Sequence, residues 1–276
     1  MKKTFARLLC FSILLAAAGA NAGPEEDRLK LIQHFKIAFP DIKPNDYVYG
    51  SLVFDPDAKA RFDIAKQTAP YAAELGKGEQ LWRTPLKSGK TYANCLPNGG
   101  KNIAGNYPLF DDSQAKVMTL EDAINACRVS NGEAAYGHAE PETMGLLTAY
   151  LRTLSEGMQI NIKVDGARAR LAYEDGKQTF YRRSGQLNYS CAHCHVDHVG
   201  NRIRTAVLSP AIGQAAHWPM FRNGTPLLTL QKQYEICHRN MRQVPDMPGS
   251  LRYNNLEYFH TYISNGLPLR SSAFQQ

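Results

Sequence analysis

The segment Cys191-Ala192-His193-Cys194-His195 constrains this chain more than any other feature of its sequence. Cys-x-x-Cys-His is the attachment signature of c-type haem. The thiols of Cys191 and Cys194 would bind the porphyrin covalently, and the imidazole of His195 would reach the iron from one side. A structural zinc site would need a second pair of ligands at matching spacing, and a thioredoxin-like redox pair would not need His195. The motif therefore predicts one covalently bound haem c.

The N-terminal residues have the pattern of a secretory signal peptide. A positively charged start is followed by an apolar stretch from Leu8 to Ala18 and by the small residues Ala20-Asn21-Ala22, which predicts removal of residues 1–22. The apolar stretch is too short to cross a bilayer, and no later stretch is long enough. We therefore expect a periplasmic protein without a membrane span.

The charge balance of the exported chain is only mildly basic. The formal net charge of +7 falls to 32 − 3 − 25 = +4 once Lys2, Lys3 and Arg7 are removed, which is weak support for an acidic partner or an anionic substrate. No basic block is interleaved with aromatic residues, so we expect no nucleic-acid partner. The remaining length is enough for one large domain or two of ordinary size.

The two halves of the chain share a weak, ordered self-similarity. Each has an opening that begins with Gly, a cysteine segment, a Thr-Leu pair before a further cysteine, and a helical stretch that ends at Gly. The first half has Gly78–Trp82, Tyr92–Cys95, Thr119-Leu120 with Cys127, and Leu147–Gly157; the second has Gly176–Phe180, Tyr189–Cys194, Thr229-Leu230 with Cys237, and Leu256–Gly266. This order predicts a duplicated domain.

We accordingly expect a mostly α-helical protein with two tandem cytochrome c-like domains, of which only the second carries haem. The predicted divisions are an N-terminal extension at residues 23–76, a haem-less domain at 77–162 and a haem-binding domain at 163–276. A helix is predicted at Glu25–Ile37, because Leu29, Ile32, Phe35 and Ala38 share one face. Further helices are predicted at Leu120–Ala126, where Thr119 begins a near capping box, and at Glu142–Ser155, a strand at Tyr47–Phe54 and a linker at Lys163–Ala169.

The second axial ligand of the iron is not settled by the motif. Residues of suitable type lie downstream at Met220, Met241, Met247, His217, His238 and His260. The repeat equates Cys127 with Cys237 and Cys95 with the attachment cysteines. With no haem between them, Cys95 and Cys127 could form a disulfide, which leaves Cys237 where the second domain needs its ligand. A buried inert thiol is the alternative for Cys237.

The chain resembles a known family at several of these positions. The segments Tyr107–Asp111, Thr119–Arg128 and Leu230–Arg242, together with the haem motif, are similar to SoxA, the larger subunit of the SoxAX cytochromes of bacterial thiosulfate oxidation. The resemblance covers nearly the whole mature chain. With a single Cys-x-x-Cys-His, the sequence resembles the monohaem type, in which a disulfide takes the place of the lost haem.

The resemblance implies an L-cysteine S-thiosulfotransferase that works with SoxX, a second haem protein. Such an enzyme joins thiosulfate to a cysteine of the carrier protein SoxYZ, and two electrons pass to haem and onward to a small cytochrome. In that family the axial cysteine carries a persulfide and is the proposed catalytic residue. That role falls here on Cys237, which would be an axial iron ligand together with His195.

Substrate binding is less clear from the resemblance. Lys232, Arg239 and Arg242 flank Cys237 and are candidates to hold the thiosulfate dianion and to activate the sulfur, or they form a solvated helix face. Family members commonly place an arginine four residues before the axial cysteine. Here that position is Gln233, which offers no charged fork.

Two other functions remain open. One is an electron-carrier cytochrome without bond-forming chemistry, in which Met220, Met241 or Met247 would be the natural axial ligand. The other is a non-catalytic scaffold subunit whose haem is mainly structural.

Overall fold

Helices, with 3₁₀ and π turns included, make up most of the described residues. A computed structural model describes residues 23–68, 71–203, 206–222, 225–270 and 273–275, so the predicted signal peptide lies outside the described residues. The α-helices in the described part are α1 (Pro24–Ala38), α2 (Pro56–Thr68), α3 (Ala72–Arg83), α4 (Tyr92–Cys95), α5 (Leu120–Ser130), α6 (Leu146–Thr153), α7 (Ala167–Tyr181), α8 (Leu230–Asn240) and α9 (Leu251–Tyr262). None of these helices is both long and apolar enough to cross a bilayer. The expected mostly α-helical fold is confirmed.

The strands in the described residues are short and form three small sheets. They are β1 (Leu109–Asp111), β2 (Lys116–Met118), β3 (Arg202–Ile203), β4 (Ala206–Val207), β5 (Met220–Arg222), β6 (Thr225–Leu228) and β7 (Ala273–Gln275). β1 pairs with β2 and β3 with β4, both antiparallel, while β5 lies between antiparallel β6 and parallel β7. The β1–β2 hairpin leads into α5, and β5–β6 leads into α8.

The first helix forms as predicted but buries a different face. Leu31 and Phe35 are buried, whereas Leu29 is 51% exposed. The inward stripe includes Asp27, whose carboxylate accepts hydrogen bonds from Lys177 Nζ at 2.6 and 2.8 Å. A charged residue that is held inside by a cation from α7 cannot be recognised from hydrophobic periodicity alone.

The strand predicted at Tyr47–Phe54 is wrong. Residues Pro44–Phe54 form 3₁₀ turns that begin with a proline and are interrupted at Gly50, where φ is 59°. The consecutive residues Tyr47 and Val48 are both buried, whereas a half-buried strand would alternate. This segment covers α1, since Tyr47 Oη donates to the Phe35 carbonyl at 3.3 Å.

The glycine that begins each repeat lies where two helices cross. α3 packs on α6, and α7 packs on α9. A β-carbon on Gly78 would overlap the carbonyl oxygen of Leu146, and one on Gly176 would overlap that of Asn255. Both positions therefore require glycine for the close approach of the backbones, which explains why the repeat retains it.

The helix starts follow the local capping signals. Thr119 accepts from the Asp122 amide at 3.1 Å and the Asp122 side chain accepts from the Thr119 amide at 3.0 Å, which completes a capping box for α5. Thr229 caps α8 in the same way by accepting from the Lys232 amide at 3.2 Å. The helix predicted from Glu142 is also present, as a π turn at Pro141–Gly145 followed by α6.

The element order recurs along the chain. A helix, a cysteine-bearing turn, a hairpin and two helices occur as α3, α4, β1–β2, α5 and α6, and again as α7, residues 191–197, β5–β6, α8 and α9. In the first set a disulfide joins Cys95 to Cys127, with Cα atoms 5.7 Å apart. The division expected between residues 76 and 77 falls inside α3.

Candidate active site

The Cys-x-x-Cys-His segment begins as a helical turn and continues as the π turn His193–Asp197. Within it, His195 Nδ1 lies 2.7 Å from the carbonyl oxygen of Ser209. A carbonyl only accepts hydrogen bonds, so Nδ1 carries the proton and Nε2 keeps its lone pair. This is the arrangement by which proteins orient a histidine toward a metal. Ser209 has no motif signal and was not identified from the sequence.

The thiol of Cys237, on α8, interacts electrostatically with the two thiols of the motif. Burial raises the pKa of the Cys191 thiol to about 12, and the neighbouring charges of Cys237 and Cys194 add to this effect. Burial also raises the pKa of Cys194, again with a contribution from Cys237. The structure therefore places three thiols, none of them in a disulfide, in one electrostatic neighbourhood beside His195.

Gln233 lies one helical turn before Cys237 and points at its sulfur. Its Nε2 donates to Cys237 Sγ at 3.2 Å, while its Oε1 is buried without a hydrogen-bond partner among the described residues. The sequence showed that Gln233 offers no charged fork. The structure adds that its amide supplies one neutral donor to the sulfur.

Two of the three predicted substrate cations share one carboxylate. Lys232 Nζ lies 2.8 Å from Glu235, and an Arg239 guanidinium nitrogen lies 2.9 Å from the same side chain. The hydrogen bond from Lys232 is the main cause of a lowered pKa at Glu235, with Arg239 contributing. The net charge of Lys232, Arg239 and Glu235 together is therefore +1, because Glu235 offsets one of the two cations. No sequence motif identifies Glu235.

Arg242, the third predicted cation, is exposed and ends α8 in a left-handed conformation with φ of 56°. The corresponding residue after α5 is Gly132, with φ of 83°, and the backbone bonds match: the Gln243 amide donates to His238, as the Glu133 amide donates to Arg128. A non-glycine residue in this region costs about 1–2 kcal/mol. Strain of this kind is concentrated at functional positions.

The alternative axial histidines are held at Nδ1, as His195 is, so this contact does not distinguish them from His195. Each of the three histidines has a partner at Nδ1: His217 has the Val48 carbonyl at 3.1 Å, His238 the Tyr253 hydroxyl at 2.8 Å, and His260 the Tyr234 hydroxyl at 2.8 Å. Met247 is 79% exposed, whereas Met220 and Met241 are buried. Met247 is consequently in a poor position to reach a buried iron.

A second group of ligand atoms lies on the surface beside the motif. Donor atoms of His193, Asp197 and His198 lie within 4.8 Å of one another. The guanidinium of Arg183 approaches His193 Nδ1 to 3.4 Å, and its positive charge opposes a bound cation there. This cluster was not identified from the sequence.

Comparison with known proteins establishes the relationship of the chain. It is 36% identical to the L-cysteine S-thiosulfotransferase subunit SoxA of Chlorobaculum tepidum over 99% of both chains. It is also 38% identical to the protein of the same name from Allochromatium vinosum, over 90% of this chain and 89% of the relative. The chain belongs to the SoxA family. The resemblance inferred from the sequence is thereby confirmed.

The structural comparison agrees with this assignment. A chain of the crystal structure of SoxXA from P. pantotrophus superposes with a TM-score of 0.69 at 30% identity, covering 75% of this chain and 79% of the other. Residues 77–160 match the SoxA/TsdA cytochrome c domain. This is a haem c fold, but the matched residues lie before the Cys-x-x-Cys-His segment.

Proposed function

We propose that this chain is the catalytic subunit of a periplasmic L-cysteine S-thiosulfotransferase, and that it works with a SoxX-like small cytochrome. The observations that support the proposal are the electrostatic interaction of Cys237 with both attachment cysteines and the hydrogen bond that its sulfur accepts from Gln233 at 3.2 Å. Relatives that carry this activity in their names match over almost the whole chain, and a SoxXA structure shares the fold.

The residues at the site fit one covalently attached haem c. Cys191 and Cys194 would attach it, and His195 and Cys237 would be the axial ligands of the iron. The donor set supports this assignment, because His195 keeps Nε2 available while Ser209 holds Nδ1 at 2.7 Å. When bound, haem iron supplies a redox centre that accepts one electron at a time.

Residues 77–162 would form a haem-less cytochrome c-like domain and residues 163–276 the haem-binding one, after an extension at residues 23–76. The recurring element order supports this division. The Cys95–Cys127 disulfide supports it as well, because it joins the positions that correspond to an attachment cysteine and to Cys237.

The reaction that fits the site joins two sulfurs. The terminal sulfur of thiosulfate and the thiol sulfur of a cysteine on a SoxYZ-like carrier form one S–S bond. The thiol loses its proton, and two electrons leave for an electron-accepting cytochrome. Cys237 provides the catalytic sulfur, Gln233 donates a hydrogen bond to it, and Arg242 supplies positive charge for the dianion.

Intact mass spectrometry of the exported, unreduced protein tests the assignment. We expect the mass of the chain without residues 1–22, plus one haem. A further sulfur atom on the Cys237 peptide that a reductant removes would indicate a persulfide. The same digest should link Cys95 to Cys127. Free alkylation of Cys237 in the native protein, or its presence in a disulfide, would contradict axial ligation.

The Cys237→Met variant separates the enzyme from an electron carrier. An enzyme would lose thiosulfate conjugation in this variant, whereas a carrier would continue to exchange electrons at the wild-type rate and would show no conjugation in either form. Met247→Leu is the matched control, because Met247 is 79% exposed and its replacement should change neither activity. Full conjugation by Cys237→Met would favour the scaffold function.

A further inference from the structure

A small cavity lies where the two halves of the chain meet, and Cys237 is not among the residues that line it. It has a volume of about 20 Å³. Its walls come from corresponding positions of the repeat, in the pairs Leu120 with Leu230, Thr148 with Glu257, and Arg152 with Thr261. The cavity therefore lies between α5 and α6 on one side and α8 and α9 on the other.

Unpartnered donors converge on this cavity. Six buried side-chain nitrogen or oxygen atoms of the described residues have no hydrogen-bond partner, and three of them belong to residues that line it: Thr148 Oγ1, Arg152 Nε and Trp218 Nε1. Thr148 is 2% exposed and Trp218 is 4% exposed. Each unmet donor would cost about 1–3 kcal/mol, so their concentration at one place points to a ligand.

Two carboxyl groups face the same cavity. Glu257 accepts a hydrogen bond from Gln231 Nε2 at 2.9 Å. The terminal nitrogen of Arg152 donates hydrogen bonds to the carbonyl oxygens of Ala215 and Ala216, at 3.2 and 3.1 Å. Burial raises the pKa of Glu257 well above its usual range, and the charge of Glu121 adds to this effect. Burial likewise raises the pKa of Glu121.

The chemistry of the walls selects the ligand. The carboxyls of Glu121 and Glu257 disfavour an anion, and the N–H and O–H groups of Trp218 and Thr148 disfavour a bare cation. A cavity that holds water needs at least roughly 10–15 Å³ and two to four polar partners. Both conditions are met, and the space is too small for thiosulfate.

We propose that this cavity is a binding site for one buried water, which Trp218, Thr148 and Arg152 hold together with the carboxyl of Glu257. The water joins α6 of the first half to α9 and Trp218 of the second. The water links parts of the two halves that are not adjacent in the chain. The inference is independent of the proposed function, because no residue that lines the cavity belongs to the site formed by the Cys-x-x-Cys-His segment, Cys237 and Gln233.

The site has a consequence for stability as a function of pH. An unfolded glutamate has a pKa of about 4.3, and the folded pKa of Glu257 is higher. The folded chain keeps this proton over a range in which the unfolded chain has lost it, so stability falls as pH rises from about 4.3 toward the folded value. The other charges acting on Glu257 are Glu121, Asp122 and Arg152, and His138 acts on Glu121.

A crystal structure of the haem-loaded full chain, at a resolution that shows ordered water, tests the site directly. We expect one water within hydrogen-bond distance of at least three of the groups Trp218 Nε1, Thr148 Oγ1, Arg152 Nε and the Glu257 carboxyl oxygens. An empty cavity, or one closed by direct hydrogen bonds between these side chains, would overturn the proposal.

Thermal unfolding of Thr148→Val is a second test, in which a bound water and a dry cavity predict Tm changes of opposite sign. If water is bound, the variant loses a satisfied hydrogen bond and its Tm falls by roughly 2–4 °C. If the cavity is dry, the variant removes an unmet hydroxyl and its Tm rises, which would contradict the proposal. Thr153→Val is the matched control on the same helix, because Thr153 Oγ1 donates to the Tyr150 carbonyl at 2.6 Å and lies outside the cavity.

Glu257→Gln tests the carboxyl group. This substitution keeps the shape of the side chain and removes its titration, so the decline of Tm as pH rises above about 4.3 should become shallower than in the wild type. Glu142→Gln, at an exposed position, should leave the slope unchanged. Equal slopes for Glu257→Gln and the wild type would contradict the proposed role of this carboxyl.

Discussion

The side-chain amide of Gln233 donates a hydrogen bond to the sulfur of Cys237, with Nε2 and Sγ 3.2 Å apart. Gln233 occupies the position at which family members commonly have arginine, so the sulfur receives a neutral donor here. A neutral amide stabilises a charged sulfur without adding a charge for thiosulfate. The nearby cations Lys232 and Arg239 do not replace the missing charge in full, since both pair with Glu235.

Gln233→Leu should lower kcat/KM for thiosulfate conjugation about 10- to 100-fold, because a hydrogen bond to a charged group contributes roughly 1.5–3 kcal/mol. Gln233→Arg should instead lower KM for thiosulfate, since it adds the missing charge. Steady-state kinetics with a carrier protein measures both. Gln178→Leu, at an exposed position on α7, is the control. An unchanged kcat/KM in Gln233→Leu would show that the hydrogen bond has no part in turnover.

Arg242 keeps a left-handed backbone in a position where the other half of the chain has Gly132. Arg242→Gly should therefore raise the free energy of unfolding by about 1 kcal/mol, seen as a higher midpoint in urea. It should also raise KM for thiosulfate, and the increase should be larger at low salt, because the lost charge is screened at high salt.

Arg61→Gln removes one exposed positive charge from α2 and serves as the control for Arg242→Gly. It should leave KM unchanged. If both variants changed KM equally, the effect would belong to net charge. If Arg242→Gly left KM at its wild-type value, Arg242 would have no role in binding the dianion.

Local signals in the sequence predicted several features of the fold and the site. The cap at Thr119 and the helix that starts at Pro141 follow from residue types at fixed spacing. The capping box forms within four residues. Such features depend on short-range geometry that a single sequence displays. The glycines that begin the two repeats were visible in the sequence, but only the structure shows that each meets a neighbouring helix.

Features that depend on distant partners were not predictable in the same way. Helix α1 buries the face that carries Asp27, because Lys177, 150 residues away in the sequence, binds the Asp27 carboxylate. Glu235 changes the charge around Cys237, but only the structure shows that it binds two of the predicted cations. The partner of His195, Ser209, has no pattern in the sequence.

Gly176→Ala should destabilise the protein by about 1–3 kcal/mol or more, because the added β-carbon overlaps the carbonyl oxygen of Asn255 and overpacking of this kind has that cost. Chemical denaturation measures the change. Gly76→Ala is the matched control in α3, since nothing lies within 4 Å of the new β-carbon. That substitution should stabilise the helix by up to about 1 kcal/mol. Shifts of the same sign in both variants would contradict the helix-crossing role of Gly176.

Asp122 joins the two halves of the chain by hydrogen bonds. Its carboxylate accepts from His138 Nε2 and from Asn254 Nδ2, each at 2.8 Å, and from the Thr119 amide at 3.0 Å. Burial alone would raise the pKa of Asp122, but the hydrogen bonds from His138 and Thr119 outweigh it and lower the value. For His138, burial opposes protonation, yet the pairing with Asp122 raises its pKa.

These two shifts predict the pH range in which the pair stabilises the fold. The contribution of Asp122 is present above its unfolded pKa of about 3.9 and is lost as pH falls through the folded value. The contribution of His138 is complete below about 6.5 and is lost as pH rises through its raised folded pKa. Asp122→Asn should therefore lower Tm most between about pH 4 and 6.5, with smaller differences on both sides.

Asp112→Asn is the control, since the Asp112 side chain is 76% exposed and pairs with Arg168 on the surface, where such pairs contribute little. A Tm difference between Asp122→Asn and the wild type that stayed constant from about pH 3 to pH 9 would mean that folding shifts the pKa of neither Asp122 nor His138.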